Sequence, residues 1–139
     1  MVPGKRTGFE LDARLESVSI PVMWLGLCEL RLVNDRRWPW LLLVPQRCDV
    51  AEMHDLTPLD QAMLTFELNM VSKALKQLTQ CDAVNINIAA NDVRQLHIDI
   101  VARSRSDPAW PGLIWDEEPG QPYEREPLRV LLEKLREAM

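Results

Sequence analysis

The sequence predicts an α+β fold, an antiparallel sheet with helices on one side, and three observations carry that expectation. Apolar and polar residues alternate with period two over Cys28–Val33 and again from Gln95 to Ile100, as in strands with two distinct faces. Turn-forming residues lie between strand-like runs at 28–33 and 40–44, and between those at 84–90 and 95–103, so two hairpins are expected. From Pro58 to Thr79 the apolar residues recur at spacings of three and four, the pattern of one long amphipathic helix.

Size and composition fit one domain over residues 1–139 with a single core. Apolar residues make up 47% and charged residues 27%, normal proportions for a folded chain with a polar surface. The net charge is −5 with no basic stripe, which argues against a nonspecific nucleic-acid binder but leaves room for a nucleotide pocket. Cys28, Cys48 and Cys81 are odd in number and lack metal-site spacing, so they are read as small apolar fillers in a reducing compartment. The first residues lack an apolar signal region, and no run approaches membrane-spanning length, so a cytoplasmic protein is expected.

In chain order, residues 1–8 read as a loose tail and Phe9–Glu16 as a short helix. Val18, Ile20 and Val22 alternate in the next segment, which Pro21 restricts to a sheet edge. In the strand at 28–33, Cys28, Leu30 and Leu32 point one way and Glu29, Arg31 and Val33 the other. Asn34-Asp35-Arg36-Arg37 turns the chain into the apolar run Trp40–Val44, stopped by Pro45. His54 lies in a connector and is read as solvated. Thr57 caps the long helix, with Pro58 in its first turn and Asp60 at its positive end. Leu59, Met63, Phe66, Met70, Val71, Ala74 and Leu78 are expected to form its core face. Val84–Ala90 is a strand whose apolar side carries Val84, Ile86 and Ile88. After Arg103, prolines 108, 111, 119 and 122 exclude a regular helix until Pro127. Residues 117–139 then form an extension ending in a helix with Leu128, Leu131, Leu132 and Leu135 on one face. That helix packs on the body or on a partner. Trp110 and Trp115 roof a pocket, meet a second subunit or fill the core edge.

The chemistry concentrates near residue 97. Strand geometry sets Gln95, His97 and Asp99 in one row, about 7 Å between alternate Cα atoms. An amide, a nucleophile and a carboxylate so placed can handle a phosphate or a metal; a solvated strand face is the bland alternative.

The row resembles the signature of the histidine triad (HIT) superfamily, His-φ-His-φ-His-φ-φ with φ apolar. It is closer to a bacterial branch that reads Gln-Leu-His-φ-His-φ-φ-Ala-Arg and then Asp-Pro-Ala-Trp-Pro-Gly. Here these stand as Gln95-Leu96-His97-Ile98-Asp99-Ile100-Val101-Ala102-Arg103 and Asp107-Pro108-Ala109-Trp110-Pro111-Gly112. With Asn34-Asp35 and Trp38-Pro39-Trp40-Leu41-Leu42-Leu43-Val44-Pro45, the resemblance spans roughly residues 9–116. Two departures stand out: Asp99 replaces the third histidine, and Trp40 replaces a histidine that many members carry.

The resemblance implies a sheet of about five strands with two helices, usually in a homodimer, and no cofactor. It implies cleavage at a nucleotide α-phosphate, of a nucleoside phosphoramidate, adenylylated amine or dinucleoside polyphosphate. His97 would be the nucleophile, Gln95 would contact phosphate oxygens, Asn34 or Asp35 would line the nucleoside pocket, and Asn91 would meet a phosphate. The attacking imidazole needs one nitrogen free and an acceptor for the proton on the other. Asp99 is the difficulty. An ionised carboxylate about 4 Å from a phosphate costs about 4 kcal/mol per unit charge at an effective dielectric near 20. Protonation by burial, pairing with Arg94 or Arg103, or a bridging cation would each relieve it, though two ligands are too few to predict a metal. Three readings follow: a nucleotidyl hydrolase, a nucleotide-binding or sensing protein impaired by Asp99, and an interaction scaffold.

Overall fold

The computed structural model describes residues 8–115 and 120–139. All of the expected tail except Gly8 lies outside the described residues, as does the start of the C-terminal extension. The sheet has five antiparallel strands: β1 (Ser19–Trp24), β2 (Cys28–Val33), β3 (Trp40–Pro45), β4 (Ala83–Ile88) and β5 (Ile98–Arg103). Their spatial order is β1-β2-β3-β5-β4. Three α-helices accompany them among the described residues, α1 (Ala13–Val18), α2 (Pro58–Thr79) and α3 (Arg125–Ala138), with one 3-10 turn at Met53–Asp55.

The long helices share one face of the sheet. Leu30, Leu32, Leu41, Leu43, Ile98 and Ile100 point there and meet Leu64, Val71 and Leu75 of α2 and Leu135 of α3. Each fully buried side chain of this kind contributes about 1.5–3 kcal/mol. The leucine face of α3 thus packs on the chain's own body. The opposite face carries Val33, Leu42 and Val44, covered by Phe9 and by Leu15 of α1. With both faces covered, β2 and β5 are buried at all six positions.

Several expectations shift in detail. The first helix starts at Ala13, later than Phe9, because the Gln95 side chain holds the backbone before it: Asp12 N–H donates to Gln95 Oε1 at 2.9 Å and Gln95 Nε2 donates to the Glu10 carbonyl at 2.9 Å. Val18 ends that helix and is exposed, so it does not share the strand alternation. β1 lies at the edge of the sheet, with a register irregularity between Pro21 and Met23. The signature strand is shorter than expected. Ile98 pairs with Ile88, the last residue of β4, so the ladder begins at Ile98 and residues 95–97 approach the sheet without joining it.

Helix α2 has the expected bounds, and Thr57 Oγ1 accepts from Asp60 N–H at 3.2 Å. Its buried stripe is turned only in part. Val71 and Ala74 are buried as expected, and Met63, Met70 and Leu78 pack partly buried against the core. Leu59 and Phe66 are each 71% exposed, and Leu64 and Leu75, outside the expected stripe, are fully buried. The turned stripe takes in two carboxylates, both satisfied. Asp60 receives a two-point contact from Arg47, and Glu67 accepts the Leu27 and Cys28 N–H groups at 2.8 and 2.9 Å. Cys28 and Cys81 are buried apolar fillers, but Cys48 is exposed, and all three are unpaired. Among the described residues no helix is long and apolar enough to cross a membrane.

Candidate active site

The face of the sheet away from α2 and α3 assembles the site. Antiparallel register puts Asp99 opposite Leu42 on β3 and opposite Asn87 on β4. Trp40 pairs with Val101, which places it diagonally from Asp99 on the same face, within reach of a long aromatic side chain. The indole Nε1–H donates to Asp99 Oδ1 at 2.9 Å. The two departures from the family motif are therefore bonded to each other.

His97 is half-buried just ahead of β5. Its Nδ1 lies 2.7 Å from the Gln95 carbonyl oxygen. A carbonyl can only accept, so this contact puts the ring proton on Nδ1 and leaves the Nε2 lone pair free in the neutral imidazole. Gln95 supplies that acceptor through its backbone. Its side chain serves the 10–12 segment, with one amide N–H on Glu10 and the carbonyl end on Asp12. Asp12, the cap of α1, comes close enough to His97 to feel its charge; Arg14 hydrogen bonds and that charge hold the Asp12 carboxyl below its usual range.

Burial pushes the Asp99 carboxyl upward, against the Trp40 N–H, the neighbouring His97 charge and the Asn87 amide, which all favour the carboxylate. Neither arginine considered for Asp99 is available to it. Arg94 donates to Glu52 at 2.7 Å and to the Ala90 carbonyl at 2.9 Å. Arg103 is clamped on Asp107 at 2.8 and 3.1 Å, bonds Asn85, and lies over the Trp110 ring. Among the described residues no cluster of three His, Cys, Asp or Glu side chains could hold a metal ion.

Beside this row opens a cleft of about 760 Å³. Leu15, Ser17 and Val18 of α1, Val33, Trp40 and Leu42 of the sheet, Asn34 and Asp35 of the β2–β3 turn, and Asp92 and Trp115 line it, with Gly120 and Pro122. Trp40 belongs to both the cleft and the Asp99 bond, and Trp115 meets its ring edge-on at 6.1 Å between centroids. Trp115 thus takes the roofing role, while Trp110 stacks with Arg103. Asn34 and Asp35 stand together on the cleft. Asn91 is exposed in the β4–β5 turn, and its neighbour Asp92 is the one that lines the cleft.

A model of the HIT domain matches residues 15–106. The chain belongs to the histidine triad family. A histidine triad protein of Sinorhizobium meliloti is 50% identical, covering 96% of this chain and 98% of its own, at a TM-score of 0.93. Histidine triad proteins of Bradyrhizobium japonicum and Marinobacter aquaeolei are 37% and 34% identical, each at a TM-score of 0.91. They cover 94% of this chain and 97% and 95% of their own. No curated protein matches the chain. The five-stranded sheet and the order of its elements are those of these HIT relatives.

Three contributors escaped the sequence reading. Asp12 is brought to the site by a contact spanning 83 positions, for which the sequence holds no local signal. Gly120 and Pro122 reach the cleft from beyond the HIT-domain match. Arg37 clamps Asp35, and here a signal existed: Asp at one position and an N–H two residues on is the pattern of an Asx turn.

Proposed function

We propose that this chain is a nucleotidyl hydrolase of the histidine triad type, cleaving at a nucleotide α-phosphate with His97 as nucleophile. The observation that carries the reading is the 2.7 Å contact between His97 Nδ1 and the Gln95 carbonyl, which leaves Nε2 as the attacking atom and stabilises the ring as it becomes positive. Nε2 forms a bond to phosphorus while the bond to the leaving group breaks, and the leaving group departs with the electron pair and takes up a proton. Water then attacks phosphorus, the P–N bond breaks, and the nucleoside monophosphate and neutral His97 are released. The leaving group is an amine or a nucleotide phosphate. The cleft beside Trp40 takes the nucleoside, a purine in this reading.

Asp99 fits the chemistry as a neutral carboxyl, the form its burial favours. Asn91 and Asp92 stand in the turn from which the family draws a phosphate contact. The chain works as a homodimer that joins through the open β4 edge, and it resides in the cytoplasm.

A second reading rests on the Trp40–Asp99 bond itself. An N–H held on that carboxyl also favours its charged form, and a charged Asp99 would disarm the site while leaving nucleotide binding in place. Turnover of adenosine 5′-phosphoramidate by wild type, His97→Asn and Asp99→His separates the two. The hydrolase reading expects an active wild type and a folded His97→Asn variant with turnover lost by at least about 10³-fold. Turnover by His97→Asn at the wild-type rate removes His97 as nucleophile. Turnover only by Asp99→His selects the second reading.

A further inference from the structure

A separate cavity of about 510 Å³ shares no lining residue with the cleft beside Trp40. It lies between the segment 9–11, Glu16 of α1, and the end of the sheet where β1 and β3 stop and β2 begins. Phe9 and Trp24 give it an apolar wall. Its polar wall holds a buried ion pair. Arg31 Nη1 donates to Glu29 at 3.0 Å, and Arg31 Nε and Nη2 donate to the Ser19 hydroxyl and carbonyl at 2.7 and 3.1 Å. The charges of Glu29 and Arg31 offset each other, so the carboxylates of Glu10 and Glu16 set the sign of the field in the cavity. Among the described residues neither of those two carboxylates is in an ion pair.

Gln46 lines the same cavity and is only 1% exposed. Its backbone N–H donates to the Leu27 carbonyl at 3.0 Å, and its side-chain Nε2 donates to the Val44 carbonyl at 3.0 Å. What the side chain has left to offer the cavity is Oε1, and among the described residues that buried oxygen has no donor. A buried acceptor without a donor is costly to the fold, so the position calls for an N–H or O–H group that arrives from outside. Water can donate to it, yet the two carboxylates and the Trp24 indole each favour a positive group over water.

We propose that this cavity binds an ammonium or guanidinium group carried on a short apolar stem. One of its N–H groups donates to Gln46 Oε1, Glu10 and Glu16 balance its charge, and the stem lies against Phe9 and Trp24. The inference does not rest on the nucleotide reading given above. That cation has two sources: a free amine of small-molecule size, and the chain's own Lys5 and Arg6, which precede Phe9 in the sequence. One charge-assisted hydrogen bond is worth roughly tenfold to a hundredfold in affinity.

The test is calorimetric titration of the full chain with agmatine, which carries an ammonium and a guanidinium on a butyl stem. A variant with Lys5→Gln and Arg6→Gln is titrated beside the wild type. A dissociation constant below about 1 mM is expected in one of the two. Binding by the wild type supports a free amine as the occupant, and binding only by the Lys5→Gln, Arg6→Gln variant supports the chain's own side chains. Binding by neither overturns the inference. In whichever background binds, Gln46→Met is expected to weaken agmatine by about tenfold or more, and so is Glu10→Gln combined with Glu16→Gln. Affinity unchanged by either substitution overturns the inference. Glu10 and Glu16 are exposed, so that pair decides the matter if Gln46→Met does not fold.

Discussion

Asp99 and Trp40 show how two side chains that each look like a loss can make one unit. A buried carboxylate in a dry site is costly, and burial accordingly raises the carboxyl's pKa, while the Trp40 N–H and Asn87 pull the other way. The sign of the consequence follows from linkage. A carboxyl whose folded pKa lies above its unfolded value contributes its stability below the unfolded pKa and loses it as pH rises through the folded one. Asp99→Asn removes the ionisation while its amide oxygen still accepts from Trp40. We expect this variant to melt above wild type near pH 7, with the gap closing toward pH 3; a gap that is constant with pH would show that Asp99 does not titrate in this way. Trp40→Phe deletes the donor and is expected to cost about 1.5–3 kcal/mol, measured by denaturant titration. It should also move any Asp99-dependent limb of the pH–rate profile upward, because a donor favouring the carboxylate is gone.

At the scale of elements, α2 is the instructive case. Its bounds were legible because local chemistry sets them: a Thr cap, a proline in the first turn, and at Gln80 a left-handed closing residue. Its buried face was less legible. Spacing allows two neighbouring stripes, and hydrophobicity alone favours the one with Phe66. The fold keeps Val71 and Ala74 inside but turns the face toward Leu64 and Leu75, because Asp60 and Glu67 find dedicated partners in Arg47 and in the backbone at Leu27 and Cys28, and so tolerate burial. Leu64→Ala is therefore expected to cost about 2–5 kcal/mol, and Phe66→Ala to stay within about 0.5 kcal/mol, both read from urea denaturation midpoints. Similar losses at the two positions would contradict the observed orientation of the helix.

For the whole molecule, the open question is the sheet edge. β1 is guarded by Pro21 and an irregular register. β4 has neither, and it presents Ile86 and Ile88 at 47% and 37% exposure along an edge that no further strand among the described residues joins. A strand edge of that kind invites a second copy. The proposed homodimer should sediment at twice the chain mass, and Ile86→Lys should shift it to the monomer; a wild type that sediments as a monomer at high micromolar concentration would rule the dimer out.

What the sequence determined by itself is the class of fold, the extents of β2 and α2, that of β3 up to Pro45, which the strand includes, and the family. Each is a matter of local spacing, capping or a contiguous motif. His97 could be named from that motif, but the acceptor for its Nδ1 proton could not, since a backbone carbonyl two residues away is present at every position and only the bend before β5 aims this one at the ring. The tertiary structure alone decided that Trp40 bonds Asp99, that residues 121–123 reach the acceptors of Asn34 and Asp35, and that Gln95 ties down the chain ahead of α1. These contacts join groups up to 89 positions apart. Side-chain spacing along a strand or helix sets which way a residue points. Which distant partner it meets there depends on strand order and register, and those exist only once the core has closed.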